Sequence, residues 1–273
     1  MNRQPVPGVA VQPGPPSTAE ALARYYDLDV LDLAYDAELY QELAQRSGGD
    51  VLELGVGTGR LGIPLALAGH AVLGVDDDPA MLARARARWR AIRAGSEDDR
   101  FDLVEADLRS FRSRRRFGLA FLAVNTFLLA ADDDERLAIL TTMRRHLVRG
   151  GLACIDVITP DERELADYDG RLQLEWHRRD DETGDEVTKV ISARHDPDSA
   201  TITLTQIFEA AAPAGGRVVT RALRSDTLHL VSADHLADLA VRAGFTDVDL
   251  RGDHLSIPYG VGSHRVIAVM ALL

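Results

Sequence analysis

The sequence predicts an α/β chain built on a doubly wound sheet, mostly parallel with an antiparallel last strand, plus an antiparallel β-meander insertion and a helical lid at the N-terminus. Three observations carry this. Short apolar runs alternate with helix-period segments between residues 51 and 158, which implies crossover connections and parallel strands. At Val51-Leu-Glu-Leu-Gly-Val-Gly-Thr-Gly-Arg60 an apolar run enters glycines at 55, 57 and 59, the pattern of a buried strand, a tight turn and a helix start. Beyond Thr159-Pro160 the period changes to alternation broken by turn signals, as in an antiparallel meander.

Residues 1–17 are rich in Pro and Gly, lack apolar periodicity and read as a flexible tail. Ser17 or Thr18 caps the next segment, where apolar residues from Ala19 to Arg46 recur at helical spacing with a break near Asp27 to Asp32. This gives two lid helices. Tyr25, Tyr26, Tyr35 and Tyr40 cluster there; core packing is the default for most of them, and the cluster suggests a lid over a pocket. Strands follow near 51–54, 71–75, 101–105, 119–124 and 152–158, with helices at 60–68, 79–93 and 133–147. Gly150-Gly151 is expected to end the last of these helices. Residues 18–160 thus form a core with its lid.

Residues 161–231 form the insertion. Its alternating segments are Leu172–His177, Glu186–His195, Thr201–Ala210 and Val218–Leu230, divided at Glu182-Thr-Gly184, Asp196-Pro-Asp198 and Pro213 to Gly216. Residues 232–273 complete the core: Ser232 starts a helix to Ala243, and strands follow near 246–251 and 264–271.

With 273 residues, 46% of them hydrophobic, the chain fits one α/β domain with an insertion. A net charge of −12 argues against a nucleic-acid partner, whose phosphates are neutralised by Lys and Arg. The single cysteine, Cys154, excludes an intrachain disulfide and a cysteine-built zinc site, and points to a reducing cytoplasm. The most apolar run, Phe117 to Ala131, is short and interrupted by Asn125, so no membrane partner is expected. The basic run Arg112 to Arg116 reads as a solvated loop. H-E-x-x-H, C-x-x-C and G-x-S-x-G patterns are missing, and no metal is expected.

Alternate glycines let the backbone approach a ligand, and the helix start behind them offers unpaired N–H groups. Two ligand classes use such a turn. Gly57-Thr-Gly59-Arg-Leu-Gly62 fits the G-x-G-x-x-G of a dinucleotide site, with Asp76 at the expected distance for its acidic residue. Glu53 separates the readings, because a carboxylate inside a central strand makes sense facing a cationic or amine-bearing ligand. S-adenosylmethionine carries a sulfonium and an α-amino group, whereas a pyrophosphate would be repelled.

With Ala71-Val-Leu-Gly-Val-Asp76-Asp-Asp-Pro79-Ala-Met81-Leu, the glycine run resembles the first two motifs of the class I S-adenosylmethionine-dependent methyltransferases, whose core is Rossmann-like. The element order matches over residues 20 to 160. The layout beyond is similar to the branch that includes glycine N-methyltransferase and the amino-sugar N,N-dimethyltransferases of macrolide biosynthesis.

The resemblance implies S-adenosyl-L-methionine as cofactor and S-adenosyl-L-homocysteine as product. Glu53, Gly55, Gly57, Gly59 and Arg60 would flank it, Asp76 would accept the ribose hydroxyls, and Asp77 would contribute backbone contacts. Met81 would lie on the adenine face, Asp107 would accept from the adenine amino group, and Ala106 and Leu108 would flank the ring. Asn125 resembles the fourth motif, which lines the methyl-transfer site, and Tyr26 would orient that site from the lid, with Tyr25 the fallback. Plainer roles compete. Asp76 could cap the following helix, though Asp78 before Pro79 is better placed; Asp107 could be a turn residue, Asn125 could serve local backbone, and Met81 could be core. The histidine that the amino-sugar enzymes carry after the fourth strand is replaced here by Phe127-Leu-Leu-Ala130. His177, His254 and His264 could face an acceptor, although each alone reads as an ordinary surface or packing residue.

The implied function is methyl transfer to N or O of a small-molecule acceptor by in-line displacement, with proximity as the main device. An NAD(P)-dependent oxidoreductase and a non-catalytic S-adenosylmethionine-binding protein compete with it. Two copies could pair through the β insertion.

Overall fold

A computed structural model describes residues 17–30, 36–94, 99–212 and 217–272. The tail at 1–16, Tyr35 and the turn at Pro213 to Gly216 lie outside the described residues.

Helix α1 (Thr18–Asp29) starts at Ser17, whose hydroxyl takes the Glu20 amide while Glu20 reaches back to the Ser17 amide. The helix carries Asp27 and Asp29 on its last turn instead of breaking at 27, because tertiary partners described below hold both carboxylates. Then come α2 (Ala37–Ser47), β1 (Val51–Leu54), α3 (Gly62–Leu67), β2 (Val72–Asp76), α4 (Pro79–Ile92), β3 (Phe101–Glu105) and β4 (Phe117–Leu122). A 3-10 turn at Thr126–Leu129 leads to α5 (Asp133–His146), β5 (Leu147–Ile158) and a short α6 (Glu162–Asp167). The meander is β6 (Gln173–Arg179), β7 (Glu186–Asp196), β8 (Thr201–Ala211) and β9 (Val218–His229); α7 (Ala233–Arg242), β10 (Asp247–Arg251) and β11 (Arg265–Ala271) close the chain.

The large sheet has the order β10-β11-β5-β4-β1-β2-β3, and β11 runs antiparallel to both neighbours. β1 and β4 are buried along their whole length, as central parallel strands must be when both faces are covered. One face carries α2, α3 and α4 through Leu43, Leu65, Leu82 and Trp89; the other carries α5 and α7 through Leu140, Met143, Leu236 and Leu239. Four strands in the order β6-β7-β8-β9 make the second sheet. Its inner face receives α1, with Ala21, Tyr25 and Leu28 against Val187, Phe208, Ala210 and Ala222.

Gly150-Gly151 does not end α5. The helix stops at His146, and both glycines lie inside β5, where its pairing with β4 shifts register between Phe117 and Leu119. Gly150 has φ +77°, and a Cβ on Gly151 would stand 2.9 Å from the Val148 carbonyl oxygen. The pair makes an irregular strand entry possible instead of a helix cap.

Candidate functional site

The glycine bend sits at the carboxyl edge of β1, where open sheets of this kind receive ligands. Gly55, Gly57 and Gly59 take φ of 72°, 52° and 80°, which their lack of a Cβ permits. The amides of Gly55 and Val56 donate to the Val75 carbonyl, and the Gly57 amide donates to Asp76 Oδ2 at 2.8 Å. Asp76 Oδ1 takes the Asp78 amide at 3.0 Å. Burial pushes the Asp76 carboxyl above its usual range, with the two amides opposing. Each oxygen retains acceptor capacity for a hydroxyl. The helix cap falls to Asp78, which accepts from Ala80 and Met81.

Glu53 is 3% exposed, and its Oε2 makes no hydrogen bond. Burial drives its carboxyl well above the ordinary range, and Arg60 nearby opposes this. A Cβ at position 62 would lie 2.5 Å from that oxygen, so the room Glu53 occupies depends on Gly62. The Arg60 guanidinium forms two hydrogen bonds with Asp36, at 2.7 and 2.6 Å. Burial works against its charge, but Asp36 outweighs it and keeps Arg60 protonated. Burial raises the Tyr26 phenol, with Arg60 pulling the other way.

A cavity of about 320 Å³ opens between the carboxyl edge of β1 and β4, the lid and the inner face of the meander. Five of the expected residues line it: Tyr26, Glu53, Gly55, Arg60 and Asn125. Tyr25 does not, since it is fully buried and stacked on Phe208 with centroids 5.3 Å apart. Asn125 adopts φ +64°, donates its amide to the Asp156 carbonyl, and accepts the Ile158 amide on Oδ1 at 2.8 Å. Its carbonyl oxygen therefore does serve local backbone, while its Nδ2 has no partner among the described residues.

The other expected residues lie beside this cavity rather than in its walls. Gly57 and Gly59 shape the bend, Asp77 is exposed, and Met81 is buried at 6% exposure. Ala106, Asp107 and Leu108 are half-buried after β3, tied to β2 by the Ala106 amide on the Asp76 carbonyl. Asp107 is taken up by Arg109, whose Nη2 approaches to 2.6 Å and holds the carboxyl below its usual range. None of the three candidate histidines lines the cavity. His177 pairs with Glu186, His264 with Glu164 and His254 with the buried Asp156. In place of the missing histidine, Leu129 is a wall residue.

The meander side of the cavity was not legible as a site in the sequence. Lys189, Leu204, Gln206 and Phe208 line it from β7 and β8, and Arg224, Asp226 and Leu228 from β9. Lys189 is buried, and its ammonium meets Asp29 of the lid at 2.6 Å and Glu175 at 2.7 Å. One signal could have found it, because Lys189 is the only lysine in the chain.

Residues 51–151 match a family described as a methyltransferase domain. A cypemycin N-terminal methyltransferase from a Streptomyces species is 34% identical over 124 residues, 45% of this chain and 48% of that protein. The chain thus spans about half the length of the curated relative it matches. An S-adenosylmethionine-dependent methyltransferase from Clostridium acetobutylicum has a TM-score of 0.74 at 16% identity, covering 94% of this chain and 99% of that one. The sugar N-methyltransferase KedS8 from a Streptoalloteichus species has a TM-score of 0.70 at 19% identity, covering 99% and 100%. These two likenesses show the fold: a mostly parallel sheet with an antiparallel end, joined to a separate four-stranded antiparallel sheet.

Proposed function

We propose that this chain, whose residues 51–151 match a methyltransferase-domain family, is a class I enzyme that transfers a methyl group from S-adenosylmethionine to N or O of a small molecule. The observation that carries the reading is Glu53, a buried carboxylate at the glycine bend with an oxygen left without a partner. An orphaned buried acceptor is costly unless a ligand completes it, and a cationic end would do so. A pyrophosphate at the same place would bring no positive charge to complete that oxygen.

The cofactor, when bound, supplies a methyl group on a positively charged sulfur. The chain's own residues bind and align. Gly55, Gly57 and Gly59 admit close backbone approach, Glu53 meets the amine-bearing end, and Asp76 offers two oxygens to the ribose hydroxyls. Asp77, Met81, Ala106, Asp107 and Leu108 lie toward the base, where Asp107 can share its oxygens between Arg109 and an amino group. Arg60, locked by Asp36, fixes Tyr26, which together with Asn125 orients the reacting ends. With Leu129 where a base could stand, orientation in a restricted cavity supplies the acceleration.

Two finer readings belong here. The lone Cys154, fully buried, supports work in the reducing cytoplasm. Leu174, Val190, Ile207 and Leu223 form one cross-strand row on the outer face of the meander, with Leu174 and Leu223 exposed by more than half. That row supports pairing of two copies through the insertion, and sedimentation velocity giving only monomer at micromolar concentration would refute it.

Calorimetric titration tests the central reading. S-adenosylmethionine and S-adenosylhomocysteine are expected to bind and NAD and NADP not to. Preference for a nicotinamide dinucleotide would end it, and cofactor binding without product release across an amine and phenol panel would leave a binder rather than an enzyme.

A further inference from the structure

The face of the cavity opposite the glycine bend is made by alternate residues of β8 and β9, and register brings Leu204 opposite Asp226 and Gln206 opposite Arg224. Asp226 is fixed through one oxygen only, since Arg224 Nε donates to Oδ2 at 2.6 Å and Oδ1 has no partner among the described residues. Gln206 lines the same wall, and its side-chain amide is likewise without a hydrogen bond among them. Leu204, Phe208 and Leu228 surround these polar ends with apolar surface.

Charge points the same way. The ionised groups of the wall and their direct partners comprise three cations, Arg60, Lys189 and Arg224, and four carboxylates, Asp29, Asp36, Glu175 and Asp226, with the buried Glu53 a further acid held neutral before a ligand arrives. Every cation is already matched by protein, Arg60 twice by one carboxylate and Lys189 by two. The excess is negative, so the balance of charge around the cavity favours a cationic guest over an anionic one.

We infer that Asp226 is the anchor of an acceptor subsite for an amine on a compact apolar body, with Gln206 reading a neighbouring polar group. This rests on the methyltransferase reading above. The amine binds as an ammonium against Asp226 Oδ1 and releases one proton to water through the mouth of the cavity. Its lone pair then forms the N–C bond as the C–S bond breaks, the electron pair leaves with sulfur, and positive charge passes from sulfur to nitrogen. A carboxylate on the nitrogen side stabilises that developing charge, which a neutral ether product would not carry.

Benzylammonium and benzyl alcohol, matched in shape, serve as probes against the full chain saturated with S-adenosylhomocysteine, read by calorimetry. Benzylammonium is expected to bind at least tenfold more tightly than the alcohol. Asp226→Asn should abolish that preference, and Arg224→Gln, which frees Oδ2 as well, should preserve or strengthen it. The opposed signs keep the test meaningful if one variant folds poorly. Equal binding of the two probes, no binding of benzylammonium, or an unaltered preference in Asp226→Asn would overturn the inference. Failure of S-adenosylhomocysteine itself to bind would instead sink the methyltransferase reading, so the two failures are distinguishable.

Discussion

Glu53 pays the electrostatic penalty of the site before any ligand arrives. Burial holds its carboxyl well above the ordinary 4.5, so the acid is neutral in the fold at a pH where the unfolded chain ionises it. The stability this group contributes is fully present below the unfolded value and is lost as pH rises through the folded one. Glu53→Gln, which mimics the neutral acid, should therefore raise the melting temperature of the ligand-free protein more at pH 8 than at pH 5. The same variant should weaken S-adenosylmethionine by about tenfold, the cost of one charged contact. A melting difference independent of pH, measured by scanning calorimetry, would contradict the first expectation.

Asp76 does two things that the substitution must separate. It ties the bend to β2 through the Gly57 and Asp78 amides, and it offers its remaining lone pairs outward. Asp76→Ala should cost about tenfold or more in cofactor affinity, from lost ribose contacts and a loosened bend. An unchanged dissociation constant by titration would put the ribose elsewhere.

Among elements, α1 is the one whose position decides the site, and beyond its apolar face on the second sheet it is held by ions at its C-terminal turn. Thr58 of the bend donates to Asp27 at 2.6 Å, and Arg84 and Arg88 of α4 also meet Asp27. At the helix end, Trp176 Nε1 and Lys189 both reach Asp29. Lys189→Ala leaves Asp29 and Glu175 facing each other without their cation, and should destabilise the protein by about 3 kcal/mol, the low end for breaking a buried pair. Hydrogen exchange should accelerate in Thr18–Asp29 well before it does in β4. Uniform acceleration across the chain would mean that α1 is not a separately opening unit.

Across the whole molecule, the two sheets share a core. Ile202 of β8 and Leu228 of β9 belong to the same buried cluster as Phe127, Leu140 and Leu236 of the main domain. The meander therefore should not unfold alone. Trp89 in α4 and Trp176 in β6 report on the two parts, and their fluorescence transitions in guanidinium should coincide with that of far-UV circular dichroism. Ile202→Ala should shift all three together, by about 2–5 kcal/mol for a large-to-small change in a packed core. Separated midpoints would show an independent subdomain.

Local pattern determined much of this protein. Apolar runs meeting glycines at 55, 57 and 59, the Asp78-Pro79 helix start, the Ser232 cap and the alternation of the insertion are short-range features, so chain order alone reveals them. Glu53 was legible because a carboxylate violates the apolar rule of a central strand. What only the tertiary structure decided is which long-range partners meet. Asp107 turned to Arg109, Gly150-Gly151 entered a strand, and Tyr26 rather than Tyr25 reached the cavity, its sibling being drawn under Phe208. Likewise Asp29, Lys189, Gln206 and Asp226 come from segments up to about two hundred residues apart, and a period-2 pattern tells which of them share a face without telling what that face will enclose.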